Sequence, residues 1–274
     1  MKQAPPQAVT CKYCGKTLEH KGFILGDEVF VWSPSPERCE CEKAKAYWEE
    51  HDRKEAEKKA AEEEAKRNRE MQERINRLLL NSGIKKRFRE RTFDRFKTDT
   101  AERKRSYQIA KEYADNFKTH KENGSGLYIE GTNGTGKTHL AAAIALQLIN
   151  EGIPVICKTS SDLLLDIKRS FDDENVQEWR VLDVYRKADL LIVDDLGKEQ
   201  CSDWAMTTLY TIFNDRYEDM KPVIITTNYN TDGLATALTP NGKDDTKIVA
   251  IISRLKEVST VITMAWDDAR ETGI

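Results

Sequence analysis

No run in this 274-residue chain approaches the roughly 20 apolar residues that a bilayer-spanning helix needs, which excludes a helical membrane anchor. The opening "MKQAPPQAVT" lacks the apolar core of a secretory signal. Positive charge is not in excess. The formal net charge is −3, which argues against a chain that coats nucleic acid by bulk charge while leaving room for a local basic patch. There are no internal repeats, and residues 42–80 contain neither glycine nor proline. These absences read as a cytoplasmic protein without membrane attachment. That compartment keeps thiols reduced, so the six cysteines need a role other than disulfides.

Three regions differ in texture. Residues 1–41 hold four of the six cysteines, four of the seven prolines and a candidate hairpin, "FILGDEVFVW", turning at Gly26-Asp27. Residues 42–83 are mostly Glu, Lys, Arg and Ala. Glu49/Arg53, Glu50/Lys54, Glu55/Lys59, Glu62/Lys66, Glu70/Arg74 and Glu73/Arg77 are spaced i,i+4 with the acid first, each pair adding about 0.2–0.5 kcal/mol to a helix. Apolar residues are too sparse for a heptad seam, so this is a charged helical linker that stops near Gly83. Residues 84–274 alternate strands with helices, the pattern of an α/β domain with a parallel sheet. Five strands are predicted: "GLYIEG", "IPVICK" (Cys157 an inert core thiol), "DLLIVDD", "PVIITTN" and "STVITMA". Ser202 is placed as the cap of the helix "DWAMTTLYTIFNDRYED".

"GTNGTGKT" follows the first of these strands and opens a helix. Gly131, Thr132, Asn133, Gly134, Thr135, Gly136, Lys137 and Thr138 match the full G-x-x-x-x-G-K-[ST] pattern. Such a loop curls so that backbone N–H groups converge on phosphate oxygens, helped by the positive end of the helix. Lys137 is expected at the β- and γ-phosphates of ATP and the Thr138 hydroxyl at Mg²⁺. "LLIVDDLGKEQ" then ends a strand in two acids. Asp194 suits Mg²⁺, and Asp195 suits the attacking water, although it is one methylene shorter than glutamate. Asn228 ends the next strand, where polar side chains face the ligand crevice. Arg254 is the candidate for the arginine that meets developing phosphoryl charge, with Arg216 as its competitor.

Together with "RTFDRF", "LYTIFNDRY", "VIITTNY", "SRL" and "WDDAR", these segments resemble the AAA+ ATPases of the bacterial replicative-helicase loader family, DnaC/DnaI-like proteins and their phage relatives, over roughly residues 84–270. The resemblance implies a P-loop NTPase of AAA+ type, a five-stranded parallel sheet flanked by helices with no C-terminal helical lid. It makes Asn228 the sensor-1 residue, Arg254 the arginine finger and Arg270 a sensor-2-like arginine. It implies a slow ATPase that loads a hexameric replicative DNA helicase onto single-stranded DNA, with ATP binding and hydrolysis as an assembly and release switch. Homo-oligomers would form on ATP or on the partner. The rivals are an IstB-like transposition ATPase that delivers a transposase to target DNA, and a non-hydrolysing ATP-binding adaptor.

Cys11-x₂-Cys14 and Cys39-x-Cys41 are two close pairs suited to tetrahedral Zn²⁺, with His20 a possible substitute ligand and disulfides or free thiols the alternatives. Zinc modules at this end occur in the DnaI-like branch, where the N-terminal region meets the helicase. "KKRFRERTFDRFK", residues 85–97, mixes cations with three phenylalanines. It reads either as a stacking and phosphate surface for single strands or as a segment docked on the ATPase domain.

Overall fold

The computed structural model describes residues 6–25, 28–171, 178–198, 202–239 and 246–266, in two compact units, Met1–Glu70 and Met71–Ile274.

In the first unit, β1 (Val9–Thr10) pairs antiparallel with β2 (Thr17–Leu18), and β3 (His20–Leu25) with β4 (Glu28–Pro36). Leu25 lies opposite Glu28, so the second pair is the hairpin expected, with its two-residue link outside the described residues. Helix α1 (Glu42–Asn81) follows. Of the expected ion pairs, Glu50–Lys54 and Glu55–Lys59 form at 3.1 Å, whereas Arg53 turns to Glu50 and Glu57 and Lys66 to Glu70. Such exposed pairs are worth about 0–1 kcal/mol, so partners interchange at little cost.

The second unit is a doubly covered parallel sheet. Its strands are β5 (Gly126–Gly131), β6 (Val155–Thr159), β7 (Leu190–Leu196), β8 (Val223–Thr227) and β9 (Ser259–Met264), in spatial order β6-β7-β8-β5-β9 with every neighbour parallel. The helices are α2 (Ala101–Asp115), α3 (Phe117–Asn123), α4 (Lys137–Asn150), α5 (Ser160–Phe171), α6 (Glu178–Lys187), α7 (Asp203–Glu218), α8 (Thr231–Leu238) and α9 (Thr246–Val258). Strand side chains alternate between faces. Leu127, Ile129, Ile192 and Ile224 enter one cluster with Leu140, Ile144 and Leu148 of α4, while Tyr128, Leu191, Val193 and Ile225 enter another with α5, α7 and α9. Burial on both faces explains the unbroken apolar runs in these strands. The three α4 side chains are fully buried, each worth about 1.5–3 kcal/mol.

The end of α1 belongs to this unit: Ile75, Leu78 and Leu79 pack on the first cluster, and Arg74 donates to the Gly152 carbonyl at 2.9 Å. The solvated linker expected up to residue 83 therefore gains an apolar face over its last two turns. Ser202 caps α7 as expected, accepting from the Ala205 N–H. Among the described residues no helix follows β9.

Candidate active site and cysteine cluster

The phosphate loop runs from β5 into α4. Two of its glycines answer to geometry. Gly131 has φ +145°, and a Cβ there would lie 2.0 Å from the Met264 carbonyl of β9; Gly136, φ +97°, turns the chain into α4. Lys137, 6% exposed, donates from Nζ to the carbonyls of Gly131 (2.8 Å) and Thr132 (2.7 Å). The lysine is thus folded onto its own loop. Thr138 Oγ1 donates to both carboxylate oxygens of Asp194, at 2.8 and 3.1 Å.

The two acids sit in different settings. Asp194 is buried, and the Thr226 hydroxyl of β8 also donates to it. Burial raises its pKa, the neighbouring Asp195 charge adds to the rise, and the two threonine hydroxyls oppose it. A carboxylate held against its solvation, with a hydroxyl that can share a metal's water shell, is a donor set that fits Mg²⁺. At Asp195 the strand register shifts and the backbone enters the left-handed region, φ +58°, which turns this acid out of the sheet. Its N–H donates to Thr226 Oγ1 at 2.9 Å. Thr226 therefore ties both acids to β8. The sequence offered only a threonine next to "TN" as a sign of this, and its role becomes visible once β7 and β8 are paired.

Asn228 donates from Nδ2 to Asn133 Oδ1 of the phosphate loop at 3.1 Å, and its own Oδ1 is buried without a hydrogen-bond partner. Lys137, Thr138, Asp194 and Asp195 line one cavity of about 760 Å³. Its rim includes Trp266, whose indole N–H donates to the Thr135 carbonyl at 3.0 Å. A cradle of loop amides closed by a lysine, a threonine and two acids suits a nucleoside triphosphate with its metal.

The sequence matches the family described as IstB-like ATP binding protein over residues 47–272. The chain belongs to that family. Its relatives include a protein named replicative helicase loader DnaC from Buchnera aphidicola subsp. Baizongia pistaciae, 28% identical over 200 residues, 72% of this chain and 76% of that one. YdaV of Escherichia coli K12 is 31% identical over 196 residues, with the same coverage. The crystal structure of the DnaC helicase loader superposes with TM-score 0.57 at 26% identity, covering 66% of this chain and 99% of that one. AMPPCP-bound DnaA from Aquifex aeolicus, at 23% identity and TM-score 0.52 over 66% of this chain and 52% of that one, shares the fold.

Other site residues of this IstB-like chain fare differently. Arg254 is half-buried on α9, outside the cavity lining, with its guanidinium over the rings of Tyr217 (5.4 Å) and Tyr210 (5.8 Å). Arg216, its expected competitor, is fully buried and donates to the carbonyls of Tyr185, Arg186, Ala188 and Pro222 at 2.7–3.1 Å. Burial pushes its pKa down to about 10. Arg216 is a structural staple and cannot meet a phosphate, because every approach to it is filled by its own fold. Arg270 lies outside the described residues. In residues 85–97 the phenylalanines dock. Phe93 is buried edge-on to Tyr107, and Phe88 and Phe96 are half-buried against the core, so the rings are not a free stacking platform. The cations Arg87, Arg91, Arg95 and Lys97 border the cavity instead. Burial pushes the Cys157 thiol up to about 12, which makes it inert.

In the first unit, the sulfurs of Cys11, Cys14, Cys39 and Cys41 lie within 4.8 Å of one another. Zn–S bonds of about 2.3 Å in a tetrahedron set sulfurs roughly 3.8 Å apart, so the four thiols fit zinc. Backbone N–H groups of Tyr13 and Cys14 pull the Cys11 pKa down, whereas the neighbouring Cys14 thiol and burial push that of Cys39 up. His20 is outside the cluster, and its Nδ1 bonds the Ser33 carbonyl at 2.7 Å. Ala44 and Trp48 from the start of α1 pack over the cysteines, so the cluster's apolar cover extends past residue 41.

Proposed function

We propose that this protein is an ATP-hydrolysing loader of a hexameric replicative DNA helicase onto single-stranded DNA, switching between assembly and release with its nucleotide state. The observation that carries the reading is the split between the two acids beside a complete phosphate loop, in a chain similar to DnaC-named loaders over three quarters of their length. Lys137 would leave the Gly131 and Thr132 carbonyls to hold the β- and γ-phosphates, and Thr138 and Asp194 would hold the magnesium. Bound Mg²⁺·ATP supplies the charge-bridged phosphates and the bond that is cleaved. Asp195 orients and deprotonates the attacking water, and Asn228 fixes that water or a γ-phosphate oxygen from the next strand tip.

Residues 1–41 are the zinc-held module that docks the helicase, residues 42–83 the linker and residues 84–274 the ATPase domain. Arg254, outside the lining of its own cavity, serves the site of a neighbouring copy in a homo-oligomer. Mixing Arg254→Ala chains with Lys137→Ala chains tests this: each is inactive alone, and mixed oligomers regain turnover. A mixture as inactive as its parts excludes action in trans.

The family description favours one rival, an IstB-type ATPase that delivers a transposase. Affinity capture of the tagged full chain from its native host separates the two. A replicative helicase retained with ATP supports loading, and a transposase in its place supports the rival.

A further inference from the structure

In this structure the acid assigned to the water is already engaged. Lys198 Nζ donates to Asp195 Oδ1 at 2.8 Å, with the two side chains 43% and 34% exposed. The backbone of Asp195 is fixed by three further ties. Its N–H donates to Thr226 Oγ1, and its carbonyl accepts from Ser160 Oγ at 3.3 Å and from the Lys198 N–H at 3.4 Å. Gly197, at φ +93°, turns the chain so that Lys198 returns over Asp195, and a Cβ there would meet Leu234 at 2.9 Å. These bonds hold the left-handed backbone of Asp195 beside the lysine. Asp194 meets a different environment, in which the Thr138 and Thr226 hydroxyls are its hydrogen-bond donors. Lys198 and both acids line the cavity of the phosphate loop, so the ion pair forms where the water must be activated.

We infer that Lys198 is a positioning residue that restrains turnover by holding the carboxylate of Asp195 in an ion pair. This rests on the reading of Asp195 as the group that orients the water. A carboxylate oxygen that accepts from an ammonium is occupied and held in place, so it is less free to align with the attacking water. Exposed pairs of this kind are weak and screened by salt. The restraint therefore slows hydrolysis without abolishing it, and it loosens as ionic strength rises.

The test uses the full chain and measures phosphate release at saturating Mg²⁺·ATP, with KM determined alongside, at about 50 and 300 mM salt. Lys198→Ala is expected to raise kcat about two- to fivefold, the rate equivalent of a weak exposed pair, with KM little changed. Lys198→Arg should stay near wild type because the charge is kept. Higher salt should raise kcat of the wild type and leave that of Lys198→Ala level, a difference that a merely structural lysine would not produce. A kcat for Lys198→Ala at or below wild type overturns the inference, as does the same salt response in both. Asp195→Asn tells the two failures apart. If it is inactive while Lys198→Ala shows no gain, only the restraint is wrong; if it turns over like wild type, the assignment of Asp195 fails and the restraint fails with it.

Discussion

Residues 71–274 bury two apolar clusters, one on each face of a parallel sheet, whereas the apolar interior of residues 1–70 is Cys11, Cys39 and Ala44 among the described residues. The larger unit has an extensive apolar core, and at its strand ends it holds a buried carboxylate and a lysine bent onto its own loop. The smaller unit buries little apolar surface beneath its two hairpins, so a metal joining its four sulfurs would supply stability that its core lacks. At a structural zinc the binding energy, about 10–16 kcal/mol in small zinc peptides, would be folding energy there.

Metal removal should therefore separate the units most sharply. Chelation is expected to release about one zinc per chain and to collapse the amide dispersion of residues 9–41, while ATP affinity of the second unit stays the same. A chain that carries no metal, with four freely titratable thiols and an intact hairpin spectrum, would end the comparison. The next effect lies within the larger unit. Arg216→Met should strip four carbonyls of their donor and cost at least about 3 kcal/mol, read as a lower melting temperature of the ATPase unit with its remaining turnover per folded chain unchanged. Catalytic loss without loss of stability would return Arg216 to the site.

The smallest effect runs the other way. Because burial raises the Asp194 pKa in the folded state, its charged form opposes folding above the unfolded value near 3.9, and the nucleotide-free protein recovers stability as pH falls through the raised value. Asp194→Asn should thus raise the melting temperature of the nucleotide-free unit at pH 7. The gain should shrink on acidification, and the added stability from Mg²⁺·ATP should be largely lost. A destabilised Asp194→Asn protein at neutral pH would contradict this account of the acid.

Much of this was legible in the residues, for physical reasons that differ by element. Strands buried on both faces spell continuous apolar runs, so "GLYIEG" matches β5 and "LLIVDD" most of β7. The phosphate loop is a contiguous motif, because its glycines serve local backbone geometry. The cysteines converge as their spacing suggested. What stayed hidden depends on residues far apart in sequence. Arg216 looks like a surface cation in "NDRYE", and its burial is decided by carbonyls at 185, 186, 188 and 222. The link of Thr226 to the acids needs the register of β7 on β8. Helices α2, α3, α5, α6 and α8 are hard to discern in the sequence, since their charged faces obscure short apolar stripes such as Leu163, Leu164 and Ile167 of α5.

The proposed division of labour gives Asp195 the water and Asp194 the metal. Its most direct measurement is steady-state phosphate release by Asp195→Asn, with ATP affinity determined on the same preparation. The account predicts ATP affinity within about twofold of wild type and turnover reduced on the order of 100-fold or more, the scale of losing a general base. Turnover equal to wild type would contradict it and leave an ATP-binding adaptor as the better description.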